Sequence, residues 1–243
     1  QGRDRLLGAL GEPPFDEAPY EYGLTYAIVG GLIQLANVDY KAVGLETYGK
    51  PDNFLERQVD RWASQLKSYP EKYPGYQPRH LEGYEEVEAW LRAHARPTKD
   101  IGIIHGDVAT TNMIFRHGPP ARLAAMIDWE LSTVGDPMID MGWLCGGLRD
   151  ERFPDMERMN GLIDVNNAPT KQALARYYCA GTGRDEGDMD FFCVLAGFKI
   201  ACVIEYKVAA AAAGHLPRET GEWFARSVSL GIERNAEFVR RIG

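Results

Sequence analysis

The sequence predicts an α+β protein that is mostly helical and carries a small β insert near its centre. Apolar residues recur at helical spacing before and after the centre, whereas residues 101–127 contain three short apolar runs separated by turn-forming residues. The chain has 243 residues, of which 45% are apolar and 26% charged. This length is enough to bury a core in one large domain or two small ones. Disordered, collagen-like and disulfide-stapled small proteins are excluded.

Three helices are predicted before the insert. Residues 1–23 hold clustered Gly, Pro and acidic residues, which favours an extended lead-in. Apolar positions then follow a helical period, for example at Val59, Trp62 and Leu66. The predicted helices are Thr25–Asn37, Asp52–Ser68 and Glu85–His94, with loops at 44–51 and 69–78.

The insert and the helices after it are delimited by turn residues and helix-end signals. The predicted strands are Ile101–Ile104, Met113–Phe115 and Leu123–Ile127. Beyond them, Pro often stands in the first turn of a helical pattern and Gly just past its end. The predicted helices there are Met138–Leu144, Pro169–Ala180 ending at Gly181, Met189–Ala213 and Pro217–Ile242.

Charge and hydropathy favour a small molecule as the partner. The net charge is -8, and the chain has no long Lys/Arg block of the kind that binds nucleic acid or an anionic membrane. The longest apolar run, residues 191–214, is interrupted by Lys199, Glu205 and Lys207, which indicates a buried helix and not a membrane span. We therefore expect a cytoplasmic protein that binds neither nucleic acid nor membrane.

The strongest motif lies in the insert. An apolar strand leads into His105, Asp107 follows on the loop, and Asn112 comes five residues later, where the next strand begins. Asp128 follows the third apolar run. This spacing is typical of the catalytic loop of phosphotransferring kinases.

The residue types in this motif suit phosphoryl transfer. A carboxylate such as Asp107 can hold and deprotonate an acceptor hydroxyl, and Asn112 and Asp128 offer the oxygen ligands that Mg²⁺ prefers. The structural alternative is that His105 and Asp107 only cap a turn while Asp128 is a surface acid.

Residues 105–112 and 127–141 resemble the aminoglycoside phosphotransferase superfamily, in the branch that also occurs as the kinase-like domain fused to acyl-CoA dehydrogenases. Weaker matches support the resemblance: Val38-Asp39, Gly44–Lys50, Arg57-Gln58 with Trp62, and Phe198–Ala201. It implies the C-terminal lobe of a protein-kinase-like fold, with ATP and Mg²⁺ as cofactors and a hydroxylated small molecule as substrate.

The resemblance also implies individual roles. Asp107 resembles the catalytic base, and Asn112 and Asp128 resemble metal ligands that help to bind the nucleotide. Asp140 resembles the aspartate that supports the catalytic loop by accepting backbone hydrogen bonds, and we expect His105 to support this loop as well. The alternative for Asp140 is a simple helix N-terminal charge, favoured by the dipole.

The resemblance predicts that residues 24–243 form the C-terminal lobe, with residues 1–23 as a lead-in from an N-terminal lobe missing from this sequence. The lobe comprises a catalytic loop at 103–115, a metal loop at 123–140 and C-terminal helices at 155–243. No Gly-rich G-x-G-x-x-G loop and no strand lysine precede Lys41, and these are the parts with which a kinase clamps ATP.

Two departures define the competing hypothesis. Kinases often place a Lys or Arg two residues after the base, where this chain has Ala109. The second departure is the absence of the Gly-rich loop and strand lysine with which a kinase clamps ATP. The stretch Gly44–Lys50 does not replace them: it fits a P-loop pattern, but Pro51 follows it and lacks both the hydroxyl and the backbone N–H that this loop needs. A non-catalytic kinase-like binding or scaffold module is therefore the alternative to an active phosphotransferase. The sequence assigns neither a substrate nor an oligomeric state.

Overall fold

The computed structural model describes residues 14–15, 17–156 and 168–243. The predicted lead-in at 1–23 therefore lies mostly outside the described residues, as does the 157–167 part of the predicted C-terminal region 155–243. Eight helices and four strands follow one another along the described chain: α1 Gly23–Ala36, α2 Glu56–Lys67, α3 Tyr69–Lys72, α4 Tyr84–Ala93, β1 Gly102–Ile104, β2 Met113–Phe115, β3 Leu123–Met126, β4 Thr133–Gly135, α5 Met138–Cys145, α6 Lys171–Thr182, α7 Met189–Ala212 and α8 Arg218–Ile242.

The α+β class with a small central β insert is confirmed, since every predicted helix and strand is present with ends displaced by a few residues. Two predictions were wrong beyond such displaced ends. Residues 69–78 are not all loop, because Pro70 opens the single turn of α3. Strand β4 was missed because Val134 is the one strongly apolar residue in it.

The described residues form two compact units along the chain. The first unit comprises those up to Asp52 together with Lys99–Phe192, and the second comprises Asn53–Thr98 and Cys193–Gly243. Among the described helices, none combines the length and apolar character that a membrane crossing requires.

The first unit contains the β insert as two antiparallel strand pairs. β1 pairs with β4, with Ile103 opposite Val134, and β2 pairs with β3, with Met113 opposite Met126. Helix α1 packs against α6 and β1. At Gly31 it approaches β3 so closely that a Cβ would lie 2.4 Å from the Leu123 side chain. The insert is thus held against the partly buried helix α1.

Helix ends in the first unit depend on local capping. Asp136 accepts the backbone N–H of Met138 at 3.0 Å and so caps the start of α5. Thr170 caps α6 by accepting the N–H of Ala173. Helix α6 does not end at Gly181 as predicted but continues to Thr182, because Gly183 supplies the left-handed residue (φ 73°) that stops it.

The described residues of the second unit form helices joined by loops, with no strand among them. Its elements are α2, α3, α4, α8 and the part of α7 from Cys193 onward. Tyr69, Tyr76 and Ala209 form a buried cluster in it. Helix α4 packs against α8, and Gly83, at φ 82°, lies so close to α8 that a Cβ would be 2.5 Å from the Cβ of Ala236.

Candidate active site

The loop after β1 makes a sharp turn at Gly106. This residue has φ 86°, and a Cβ added to it would lie 2.3 Å from the carbonyl oxygen of Leu131. Only glycine combines this backbone conformation with so close an approach. The turn directs the chain from the buried strand β1 towards Asp107.

Asp140 holds this turn from the first turn of α5. Its two carboxylate oxygens accept the backbone N–H groups of His105 at 2.7 Å and of Gly106 at 2.9 Å. Asp140 is only 2% exposed, so these bonds form in a low-dielectric environment where charge-assisted bonds are strong. The arrangement fixes two successive peptide groups of the loop.

His105 joins the two halves of the insert. Its side chain is fully buried, Nδ1 accepts the N–H of Asp107 at 3.3 Å, and Nε2 donates to the carbonyl oxygen of Ile127 at 3.0 Å. These two contacts require the neutral tautomer with the proton on Nε2. The ring thereby ties the residue before Asp128 to the loop that carries Asp107.

Asp107 and Asn112 are in direct contact. The Asn112 Nδ2 donates to Oδ2 of Asp107 at 3.0 Å and to its backbone oxygen at 3.1 Å. Asn112 is buried and ends a single 3₁₀ turn, Thr110–Asn112, whereas Asp107 is half-buried. Because Nδ2 faces Asp107, the amide oxygen of Asn112 is turned away from it.

Asp128 directly follows a residue whose backbone is bonded to Asn112. The N–H of Ile127 donates to the backbone oxygen of Asn112 at 2.9 Å, which extends the β2–β3 pairing to the residue before Asp128. Asp128 is exposed and has φ 66°, a conformation uncommon for residues other than glycine. Strained backbone of this kind concentrates at functional sites.

A buried tyrosine lies beneath the helix that carries Asp140. Tyr178 on α6 is fully buried and accepts a hydrogen bond from Nη1 of Arg184 at 3.3 Å. Burial raises the pKa of the Tyr178 hydroxyl; the Arg184 charge opposes this, and the negative charges of Asp140 and Asp136 add to it. The hydroxyl therefore keeps its proton at neutral pH.

The donor set suits Mg²⁺. The described residues contain no group of three or more His, Cys, Asp or Glu side chains that could hold a metal by themselves. Mg²⁺ does not need such a cage, because it usually binds one or two carboxylates together with substrate phosphates and water. The Asp128 carboxylate and the Asn112 amide oxygen are hard ligands of this kind.

The structure thus links His105, Asp107, Asn112 and Asp140 by hydrogen bonds and places Asp128 one residue from a bonded backbone group. Sequence reasoning missed the turn at Gly106, for which the signal was a glycine directly before the acid. It also missed Tyr48 and Ser132, whose hydroxyl oxygens lie 2.6 Å apart. Tyr48 belongs to the Gly44–Lys50 stretch, to which the sequence assigns no role in the site.

Comparison with known proteins identifies a family. The family model described as "Phosphotransferase enzyme family" matches residues 4–188. The chain is 28% identical over 233 residues to acyl-CoA dehydrogenase family member 11 of Gallus gallus, covering 92% of this chain and 29% of that protein. It is 28% identical to acyl-CoA dehydrogenase family member 10 of Mus musculus, covering 72% of this chain and 16% of that protein. The chain therefore spans less than a third of the length of these relatives.

A solved structure is similar as well. A crystal structure described as that of a "putative aminoglycoside phosphotransferase" from Ralstonia eutropha superposes with a TM-score of 0.73 and 25% sequence identity. The match covers 90% of this chain and 65% of that one. The predicted kinase-like fold and the predicted resemblance are both confirmed.

Proposed function

The chain belongs to the phosphotransferase enzyme family, and we propose that it transfers the γ-phosphoryl group of ATP to a hydroxyl group of a small molecule. The observation that carries this proposal is the pair of hydrogen bonds from Asn112 to Asp107. They join a candidate base and a candidate metal ligand on one short loop, which the spacing of the motif predicts.

Asp107 is the proposed catalytic base. Oδ2 is oriented by Asn112, which leaves Oδ1 of the half-buried carboxylate to accept a hydrogen bond from the acceptor hydroxyl. As the hydroxyl oxygen attacks the γ-phosphorus, its proton passes to Asp107 and the bond to ADP breaks. Positioning and charge stabilisation supply most of the rate enhancement in such a transfer.

Asn112 and Asp128 are the proposed Mg²⁺ ligands, through the amide oxygen and the carboxylate. When bound, the ion neutralises negative charge on the β- and γ-phosphate oxygens. The chain's own contribution is to hold these two side chains near each other. The hydrogen bond between Ile127 and Asn112 supports this role, because it connects the two ligand-bearing segments.

Asp140 and His105 are proposed to support the loop without touching the substrate. Their side chains are fully or almost fully buried, and each is engaged with backbone groups of the insert. Neither has an oxygen or nitrogen directed at solvent. A rigid loop keeps Asp107 within reach of the reacting hydroxyl, and small displacements there are costly.

The substrate proposal comes from the relatives. Two proteins that contain a segment similar to this chain are named as acyl-CoA dehydrogenase family members. We therefore propose hydroxylated acyl compounds as the first substrate class to test. Aminoglycosides are the second, because the similar solved structure is described in those terms.

The test is ATP turnover across both substrate classes with Mg²⁺. The protein is expressed with any coding sequence that lies upstream of Gln1, because residues 1–41 contain neither the Gly-rich loop nor the strand lysine with which kinases clamp ATP. We expect Asp107→Asn to lower kcat by about 10³-fold, within the usual range for loss of a general base. The control is Asp52→Asn, which removes an exposed carboxylate. Equal turnover by Asp107→Asn and wild type would refute the role of Asp107.

The second candidate function is a kinase-like module that binds a ligand without transferring phosphate. Ala109 favours it, since a buried alanine stands where kinases often place a cation near the transferred phosphate. Calorimetric titration with Mg²⁺-ATP alongside the turnover assay separates the two functions. Binding without ADP formation for any acceptor supports the module, and acceptor-dependent ADP formation supports the enzyme.

A further inference from the structure

The segment that carries Asp128 is fixed on the side of β3 by three hydrogen bonds. The N–H of Ile127 bonds to Asn112, its carbonyl oxygen accepts from His105, and the indole N–H of Trp129 donates to the carbonyl oxygen of Met126 at 2.9 Å. These contacts fix the chain up to Ile127 and the position of the Trp129 ring. None of these three hydrogen bonds fixes the backbone that follows Asp128, so other contacts must do so.

Ser132 holds that following backbone. Both its N–H, at 3.0 Å, and its hydroxyl donate to the carbonyl oxygen of Trp129, which closes a tight turn directly after Asp128 and Trp129. The Ser132 hydroxyl proton is therefore engaged. In the 2.6 Å contact between Ser132 Oγ and the Tyr48 hydroxyl, Tyr48 must be the donor. The bonds form a chain from Tyr48 through Ser132 to Trp129.

The segment around Tyr48 packs closely against strand β4. At the next residue, Gly49, a Cβ would lie 2.8 Å from the backbone nitrogen of Val134 and 2.9 Å from its oxygen, so the two backbones are in close contact there. Tyr48 itself is 48% exposed. Its hydroxyl therefore adds little to the buried core, and its bond acts on the loop it reaches.

Asp128 needs such support because of its backbone. Its left-handed backbone, at φ 66°, is one that aspartate adopts only occasionally, so contacts on both sides of it help to hold this conformation. The hydrogen bonds of Ile127 fix the backbone before Asp128, and the turn closed by Ser132 fixes the backbone after it. If the hydrogen bonds before or after Asp128 are lost, its carboxylate can move away from the position in which it would bind a cation.

We infer that Tyr48 and Ser132 are positioning residues that hold Asp128 in the geometry required for binding a divalent cation. The inference rests on the proposed function, in which Asp128 is a metal ligand. It predicts that an exposed hydroxyl, 84 positions away from Ser132 along the chain, controls cation affinity without contacting the cation.

The experiment uses electron paramagnetic resonance of the free ion to measure Mn²⁺ binding, in the presence of ADP, to the protein expressed with its upstream coding sequence, after subtraction of the Mn²⁺ that ADP alone binds. Tyr48→Phe removes one hydroxyl, and we expect its Kd for Mn²⁺ to rise about five-fold, the effect of one hydrogen bond. Ser132→Ala should raise Kd at least as much, because it also loses the bond to Trp129. The double variant should equal Ser132→Ala, since both changes break one chain of bonds.

Two controls separate positioning from folding. Tyr177→Phe removes the hydroxyl of a comparably exposed tyrosine, 44% exposed, and should leave Kd unchanged. The thermal midpoint of Tyr48→Phe should equal that of wild type. In the active protein, its turnover should return to the wild-type rate at saturating Mg²⁺, which a general loss of structure would not allow.

The outcomes distinguish this inference from the proposed function. Wild-type Mn²⁺ affinity in Tyr48→Phe, together with loss of binding in Asp128→Asn, would overturn the inference and leave the proposed function standing. A wild-type protein that binds no Mn²⁺ beyond the amount that ADP alone binds, or an Asp128→Asn variant that binds it normally, would overturn the metal role of Asp128 and the inference together. The expected five-fold change at an unchanged thermal midpoint would support both.

Discussion

Two carboxylates, one in each unit, show how the same kind of group serves opposite purposes. Glu205 on α7 is fully buried, and both of its oxygens are engaged. Arg79 binds it with two nitrogens, at 2.8 and 2.7 Å, and the hydroxyl of Tyr76 donates to it at 2.8 Å. Asp128 lies exposed on a loop with left-handed backbone. The first group is saturated by protein partners, whereas the second is left accessible to a ligand.

The difference follows from the cost of burying a charge. A buried carboxylate must have its hydrogen bonds made within the protein, because unpaired charge in a low dielectric is strongly unfavourable. The interaction with Glu205 in turn raises the pKa of Arg79, and burial raises that of Tyr76 with Glu205 adding to the effect. Such a group cannot exchange its partners for a metal or substrate. An exposed carboxylate can bind a metal or substrate, provided that its backbone is held in a fixed position.

The largest expected effect on stability is that of Glu205→Ala. Removing the carboxylate leaves the Arg79 side chain, only 27% exposed, without its partner. We expect the free energy of unfolding to fall by about 3–5 kcal/mol, as when one member of a buried ion pair is deleted. Urea denaturation of the chain measures the change.

The control for Glu205→Ala is Glu82→Ala. Glu82 pairs with His80 at 3.2 Å, but the side chains are 77% and 74% exposed, so no measurable loss is expected. If both variants unfold at the same urea concentration, the contrast between buried and exposed acids does not hold for this protein.

Asp140→Asn tests an acid of the candidate site whose two carboxylate oxygens, like those of Glu205, both accept hydrogen bonds from the protein. An asparagine keeps one acceptor oxygen and presents an NH₂ group to the second backbone N–H, so one of the two bonds from His105 and Gly106 is lost. We expect a loss of about 1–3 kcal/mol in unfolding free energy, together with lower turnover. Thermal unfolding and the ATP assay measure these two effects.

Asp107→Asn is the matched comparison for this variant. It should lose activity while its thermal midpoint stays near that of wild type, because Asp107 is half-buried and an asparagine can still accept from Asn112. A stable but inactive Asp140→Asn would assign Asp140 to the chemistry and not to the support of the loop.

The sequence predicted the parts of the site that depend on local order. Asp107 and Asn112 are five residues apart, so a short loop between strands brings them together whatever the rest of the chain does. Strand β4 could not be predicted in this way, because Thr133–Gly135 has little apolar character and pairs with β1 some thirty residues earlier in the chain. The pairing with β1 outweighs the weak preference of Thr133–Gly135 for a strand.

The partners of single polar groups were equally invisible in the sequence. In the sequence Glu205 only interrupts an apolar run, and its partners Arg79 and Tyr76 are 126 and 129 positions away. The bond between Tyr48 and Ser132 spans 84 positions. Neither contact has a spacing rule, because each depends on how separate elements pack. The left-handed backbone of Asp128 was not predictable either, because aspartate adopts this conformation only occasionally and its residue type alone does not indicate where.

A third group of acids extends the contrast to pH. Asp150 accepts hydrogen bonds from Arg152 and pairs with Lys171 at 2.6 Å. Asp190 pairs with both cations as well. Burial alone would raise the pKa of each carboxyl, but the hydrogen bonds and charges of Arg152 and Lys171 outweigh it and hold both pKa values below the ordinary 3.8.

The smallest expected effect is the pH dependence that these acids impose. Below about pH 4 the unfolded chain takes up protons on Asp150 and Asp190 while the folded chain does not, so the stability they contribute is present at neutral pH and lost as the pH falls. Asp150→Asn should therefore be less stable than wild type at pH 7, and the gap should narrow by about 1 kcal/mol by pH 3. Urea midpoints at a series of pH values measure it. Asp52→Asn should keep the wild-type slope, and parallel curves for Asp150→Asn and wild type would show that the pairing of Asp150 does not outweigh the cost of its burial.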